Sequence, residues 1–161
     1  IEKAIQYLKD KRIYSDLIGG GETAGIPYAA FISQKLKKPM IYIRKKPKGF
    51  GINKQIEGEF KKNQSTLLVE DLATDGGSKI TFINAIREAG LKVKDIFVIF
   101  YYDIFDFQNS DLSKLDVQIH SLCTWQNIVT YIEKNNLYSE AEILSLKEFL
   151  NDPQGWRKNN G

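Results

Sequence analysis

The sequence predicts an α/β fold, a mainly parallel twisted sheet flanked by helices. Two observations carry that expectation. Short β-prone runs alternate with helical patterns of about a dozen residues, the signature of βαβ units. Each glycine-rich or basic polar loop follows a strand, which places those loops along one edge of the sheet, where ligands of open α/β sheets bind.

Taken in order, Ile1, Ile5 and Leu8 fall at helical spacing, so residues 1–11 form a helix with one packed face. Tyr14–Ile18 is a short strand running into Gly19, Gly20 and Gly21. Gly25–Leu36 is a helix with Pro27 in its first turn, where a missing N–H costs nothing. Met40–Arg44 is a strand, and 45–55 (KKPKGFGINKQ) a polar loop. Residues 66–70 form a strand, 71–77 a loop, and Ser78–Ala89 a helix closed by Gly90. Asp95–Tyr102 and Val117–Leu122 are strands. Residues 124–135 and 139–150 are helices with Thr124 and Ser139 as N-caps. No repeat, linker or low-complexity segment interrupts the chain, so 1–161 is expected to be a single domain.

Composition narrows the function. Apolar residues make up 42% and charged residues 27% of the 161, an ordinary globular balance. No apolar run is long enough to cross a bilayer, and a net charge of +3 is too mild to indicate nucleic-acid binding by itself. The single cysteine, Cys123, permits no internal disulfide and fits a reducing cytoplasm. With His120 as the one histidine, expected to be structural, a Ser–His or His-cluster metal constellation is absent. The chain opens on a helix without a Met, which predicts an upstream segment in the natural polypeptide.

Three stretches carry chemistry. In the first, 67–78 (LLVEDLATDGGS), a buried strand runs into Glu70 and Asp71 and then into small, flexible residues. Charged groups at a strand end are costly unless hydrated, paired or ligand-bound. Vicinal sugar hydroxyls, or a divalent cation, would use both carboxylates as acceptors. Behind them Thr74, Asp75, Gly76, Gly77 and Ser78 lead into a helix whose free N–H groups favour an anion. An acidic pair beside a phosphate loop suggests a phosphorylated ribose.

The second stretch, 19–25 (GGGETAG), nominally satisfies the GxGxxA dinucleotide pattern. It lacks the acidic residue that should follow about 20 positions on, since the stretch there is basic. A tight turn and an anion-binding corner both remain open for it. The third, 44–51 (RKKPKGFG), lies within seven basic residues between Lys35 and Lys48 that no acidic residue interrupts. Its two glycines and lack of periodicity suggest a mobile cationic flap able to cover a polyanionic leaving group.

With these residues in view, the chain resembles the type I phosphoribosyltransferases. LLVEDLATDGGS is similar to their phosphoribosyl-pyrophosphate (PRPP) motif, and GGGETAGIP to their pyrophosphate loop. RKKPKGFG followed by Ile56, Glu57 and Gly58 resembles the flap of the orotate phosphoribosyltransferase branch, and VQIHSLCTWQNIVTYIEK resembles that branch's C-terminal strand and helix. The similarity runs from Tyr14 to Lys134. The resemblance implies transfer of ribose 5-phosphate from PRPP to orotate, with Mg²⁺, in pyrimidine biosynthesis. It places Glu70 and Asp71 on the ribose hydroxyls and Thr74–Ser78 on the 5′-phosphate, with Leu72 and Ala73 completing that motif. Thr23 and Ala24, within the Glu22–Gly25 backbone, meet the pyrophosphate. Lys48, Arg44 and Lys45 stabilise it as it leaves and, with Asp71, make up the catalytic set; Thr74 also meets orotate. No side chain is assigned to a metal. The resemblance further implies a cytoplasmic homodimer with the flap shared across the interface. A transferase for a purine base, or a non-catalytic PRPP sensor, are the alternatives. The family pattern often has His where Phe50 stands, Lys at Ala24 and, in some members, Arg at Tyr102.

Overall fold

The computed structural model describes residues 1–47, 55–74, 77–104, 110–153 and 155–156. Its centre is one six-stranded sheet in the order β3-β2-β1-β4-β5-β6. The strands are β1 (Leu17–Gly21), β2 (Met40–Ile43), β3 (Ile56–Glu57), β4 (Ser65–Ala73), β5 (Lys92–Tyr101) and β6 (Gln118–Thr124). All neighbours run parallel except β3, a two-residue antiparallel strand on β2 that the sequence pattern is too short to reveal.

Helices cover both faces. On one, α1 (Glu2–Asp10) and α2 (Gly25–Leu36) pack Ala4, Leu8, Ala29 and Ile32 on Ile18, Leu67, Val69 and Phe97. On the other, α3 (Gly77–Glu88) packs Phe82, Ile83 and Ile86 on Leu17, Leu68 and Ile96. Since β4 side chains alternate between faces, Leu67 and Val69 join the first core and Leu68 the second. Two further helices, α4 (Trp125–Lys134) and α5 (Glu140–Asn151), follow β6, each starting in a capping box at the expected Thr124 and Ser139. Gly90 stands at φ +81 just past α3, as its capping role requires.

Strand boundaries differ from the sequence expectation: β5 begins at Lys92 rather than Asp95, β6 is Gln118–Thr124 rather than Val117–Leu122, and two further differences bear on the site. The first strand is Leu17–Gly21 rather than Tyr14–Ile18, because Gly19–Gly21 belong to the sheet and are buried. The strand expected over 66–70 continues through Asp71 to Ala73, with Leu72 and Ala73 laddered onto β5. The expected 71–77 loop therefore shrinks to a short connection after Ala73.

The chain moves one way along the sheet from β1 to β2 and the opposite way from β4 to β5. That reversal makes the β1/β4 boundary a topological switch point, and the loops leaving the carboxyl ends of both strands open onto it. Among the described residues no helix is long and apolar enough to cross a membrane.

Candidate active site

The β1–α2 loop and the end of β4 meet without a side chain between them. A Cβ on Gly21 would stand 2.1 Å from Glu70 Oε1, and one on Gly25 would stand 2.4 Å from the Val69 carbonyl and 2.6 Å from Glu70 Oε1. Only glycine permits that approach, which explains both positions. Thr23 and Ala24 lie exposed on the loop above, and the Glu22–Thr23 peptide is cis.

The two adjacent carboxylates have different surroundings, as strand alternation requires. Glu70 points into the core and is 5% exposed. Its Oε2 accepts a hydrogen bond from Lys79 Nζ at 3.1 Å, while Oε1 has no hydrogen-bond partner among the described residues. Burial pushes the Glu70 carboxyl above its ordinary range, against the pull of the Lys79 ammonium. Asp71 is half-buried. Both belong to β4, so the acidic pair sits within the last turns of the ladder rather than beyond it.

Lys79, in the first turn of α3, was not singled out by the sequence patterns. The signal was present: positions 79, 82, 83 and 86 form an i, i+3, i+4, i+7 stripe, and α3 buries all four. A lysine on such a stripe needs a buried partner. Thr74 is half-buried beside the connection, and Gly77 and Ser78 open α3. Asp75 and Gly76 lie outside the described residues.

The stem of the expected flap ties into the same region. Glu22 N–H donates to the Ile43 carbonyl at 3.0 Å, and Lys45 N–H donates to Glu22 Oε2 at 2.7 Å. That backbone donor, then the Tyr42 hydroxyl, hold the Glu22 carboxyl below its ordinary range. Arg44 donates to Glu57 at 2.6 Å and lies over the Tyr42 ring, its centre 5.3 Å away. Arg44 N–H donates to the Gln55 carbonyl at 2.7 Å, and Gln55 Nε2 returns a bond to the Arg44 carbonyl at 3.1 Å. Residues 44–45 and 55–57 are thus joined at the carboxyl end of β2, next to the β1–α2 loop. Lys48, Gly49, Phe50 and Gly51 lie outside the described residues.

Other expectations find ordinary settings. His120 Nε2 lies 2.7 Å from Asp95 Oδ1 and its ring packs edge-on to Tyr7, a structural role at the β6 edge. Tyr102 N–H donates to the Ala73 carbonyl at 2.9 Å, and its ring packs on Phe100 and Trp125. Cys123 is half-buried with its thiol 3.6 Å from the Thr124 carbonyl.

The site therefore lies at the carboxyl ends of β1 and β4 at a switch point, with half-buried Asp71 next to buried Glu70, a glycine-dependent loop on one side and the start of α3 on the other. Such an arrangement suits a polyol phosphate, since the Asp71 carboxylate can accept from hydroxyls and a helix N-terminus attracts an anion.

Comparison with known proteins agrees. No family model matches the chain. It is 46% identical over 145 residues to the orotate phosphoribosyltransferase of Roseobacter denitrificans, covering 90% of this chain and 64% of that protein. It is 44% identical over 155 residues to the orotate phosphoribosyltransferase of Cereibacter sphaeroides (strain KD131), covering 96% of this chain and 67% of that one. Among solved structures, the orotate phosphoribosyltransferase of Aeropyrum pernix superposes with a TM-score of 0.69 at 27% identity, over 86% of this chain and 75% of that one. The chain thus spans about two-thirds of the length of the curated relatives it matches.

Proposed function

The chain belongs to the orotate phosphoribosyltransferase family, and we propose that it transfers ribose 5-phosphate from PRPP to N1 of orotate. The bond from C1 of the ribose to the pyrophosphate oxygen breaks, the bond from C1 to N1 forms, the N1 proton passes to the departing pyrophosphate or to water, and orotidine 5′-monophosphate and pyrophosphate leave. The observation that carries this reading is the switch point, where Glu70 and Asp71 lie near the end of β4 against the Gly21–Gly25 turn.

Such a reaction passes through a C1 centre with oxocarbenium character, so the protein's task is placement and charge stabilisation rather than proton transfer. The residues suit that task. Asp71 faces the ribose hydroxyls from the strand end, with Glu70 beneath. The connection Thr74–Ser78 meets the 5′-phosphate at the start of α3, and Thr74 also borders the base. The backbone around Thr23 and Ala24 meets the pyrophosphate, and Lys48, Lys45 and Arg44 bring positive charge to it as it departs. Mg²⁺ would arrive with the diphosphate and supply charge neutralisation there. We further propose a cytoplasmic homodimer in which each flap serves the neighbouring site.

The test is the loss of orotate's near-ultraviolet absorbance on addition of PRPP and Mg²⁺, with adenine offered in parallel. Consumption of orotate alone is expected. Consumption of adenine alone would assign a purine substrate, and PRPP binding without turnover of either base would make the protein a sensor.

A further inference from the structure

We propose that Lys79 is a positioning residue that braces the β4–α3 connection for the ribose 5-phosphate portion of PRPP, an inference that rests on the transferase reading. A lysine normally keeps its ammonium in water, yet Lys79 is 5% exposed. Its three N–H donors have three acceptors. Nζ reaches Glu70 Oε2 at 3.1 Å and Ser78 Oγ at 3.3 Å, and it also donates to the Leu72 carbonyl. Leu72 lies before the connection and Ser78 after it, so one ammonium spans both arms of the proposed phosphate loop.

A Leu or Met would fill this position on the α3 stripe without the cost of desolvating a cation. What the lysine adds is geometry. Through Glu70 the brace also reaches the second loop, because the unpartnered Oε1 lies under Gly21 and Gly25. Two loops on different strands are thereby referenced to one buried group, as a site that must hold both ends of one substrate requires.

A plainer role would be to neutralise Glu70 and nothing more. Comparing Glu70→Gln with Glu70→Gln/Lys79→Met separates the two, since both lack the buried carboxylate and only the first keeps an ammonium that can hold the Leu72 carbonyl and Ser78. If Lys79 is a brace, backbone amides of 73–79 should exchange with deuterium about tenfold faster in the double variant than in Glu70→Gln. Amides of 67–69 should not change, and calorimetry should show PRPP binding about tenfold weaker. Equal exchange over 73–79 would overturn the brace, and exchange alone decides if Glu70→Gln by itself abolishes binding. Where both variants bind, equal PRPP affinity would overturn it as well. A wild-type chain that fails to bind PRPP would instead overturn the transferase reading.

Discussion

Lys79→Met is expected to cost about 3–5 kcal/mol of folding stability at neutral pH, the usual penalty for removing one partner of a buried ion pair. Both side chains are almost fully enclosed, at 6% and 7% exposure, so water cannot replace the lost ammonium. Urea unfolding should show a lower midpoint with an unchanged slope. The deficit should shrink in acid. Burial already raises the Glu70 carboxyl, and loss of the cation raises it further. Between its ordinary and raised values the native state holds a proton that the unfolded chain does not, so stability increases as pH falls through that window. Glu70→Gln/Lys79→Met, with no buried charge left, should regain most of the loss. A deficit under about 1 kcal/mol, or one independent of pH, would mean that the pair is not an ionic element of the core.

Lys48→Ala is expected to lower kcat by roughly 10²–10³, or about 2.7–4 kcal/mol of transition-state stabilisation. Its charge matters most when pyrophosphate gains negative charge in the transition state, so kcat and kcat/KM should fall together while the Kd for PRPP changes only several-fold. Lys48 lies outside the described residues, but the stem beneath it is defined. Arg44 is paired with Glu57, and Lys45 N–H is held by Glu22, so the base of the flap is anchored to the β1–α2 loop. Lys46→Ala, without a matching role in the family motif, should lose far less. In a homodimer with shared sites, mixing Lys48→Ala subunits with Asp71→Ala subunits should restore part of the activity. Equal, small losses for Lys48→Ala and Lys46→Ala would reduce the segment to a solvated basic loop.

Much of this architecture was legible in the residues. The helices over 25–36 and 124–135 announce themselves by period and caps, and VEDLATDGGS marks both a strand and the chemistry after it. What stayed hidden depended on packing. Gly19–Gly21 look like a turn from composition, yet they form a central strand in which neighbours fill the space of a Cβ: Ile43 and Thr66 at Gly19, α2 at Gly20, and Glu70 and Phe82 at Gly21. Glu70 and Asp71 look equivalent in the sequence, and only the direction of each side chain from β4 separates a buried, lysine-bound carboxylate from a half-buried one. The Glu22 contact with the Lys45 backbone joins residues 23 positions apart, a distance over which local pattern carries no information.

Calorimetric titration of PRPP with Mg²⁺ into the chain tests the central claim, that the β1–α2 loop and the end of β4 form a phosphoribosyl site. The account predicts one saturable site per chain, weakened at least about tenfold by Asp71→Asn, which removes the acceptor charge beside the ribose hydroxyls. Lys92→Ala, at the opposite end of the sheet where β5 begins, should leave the affinity unchanged. Absence of binding, or binding indifferent to Asp71, would contradict it.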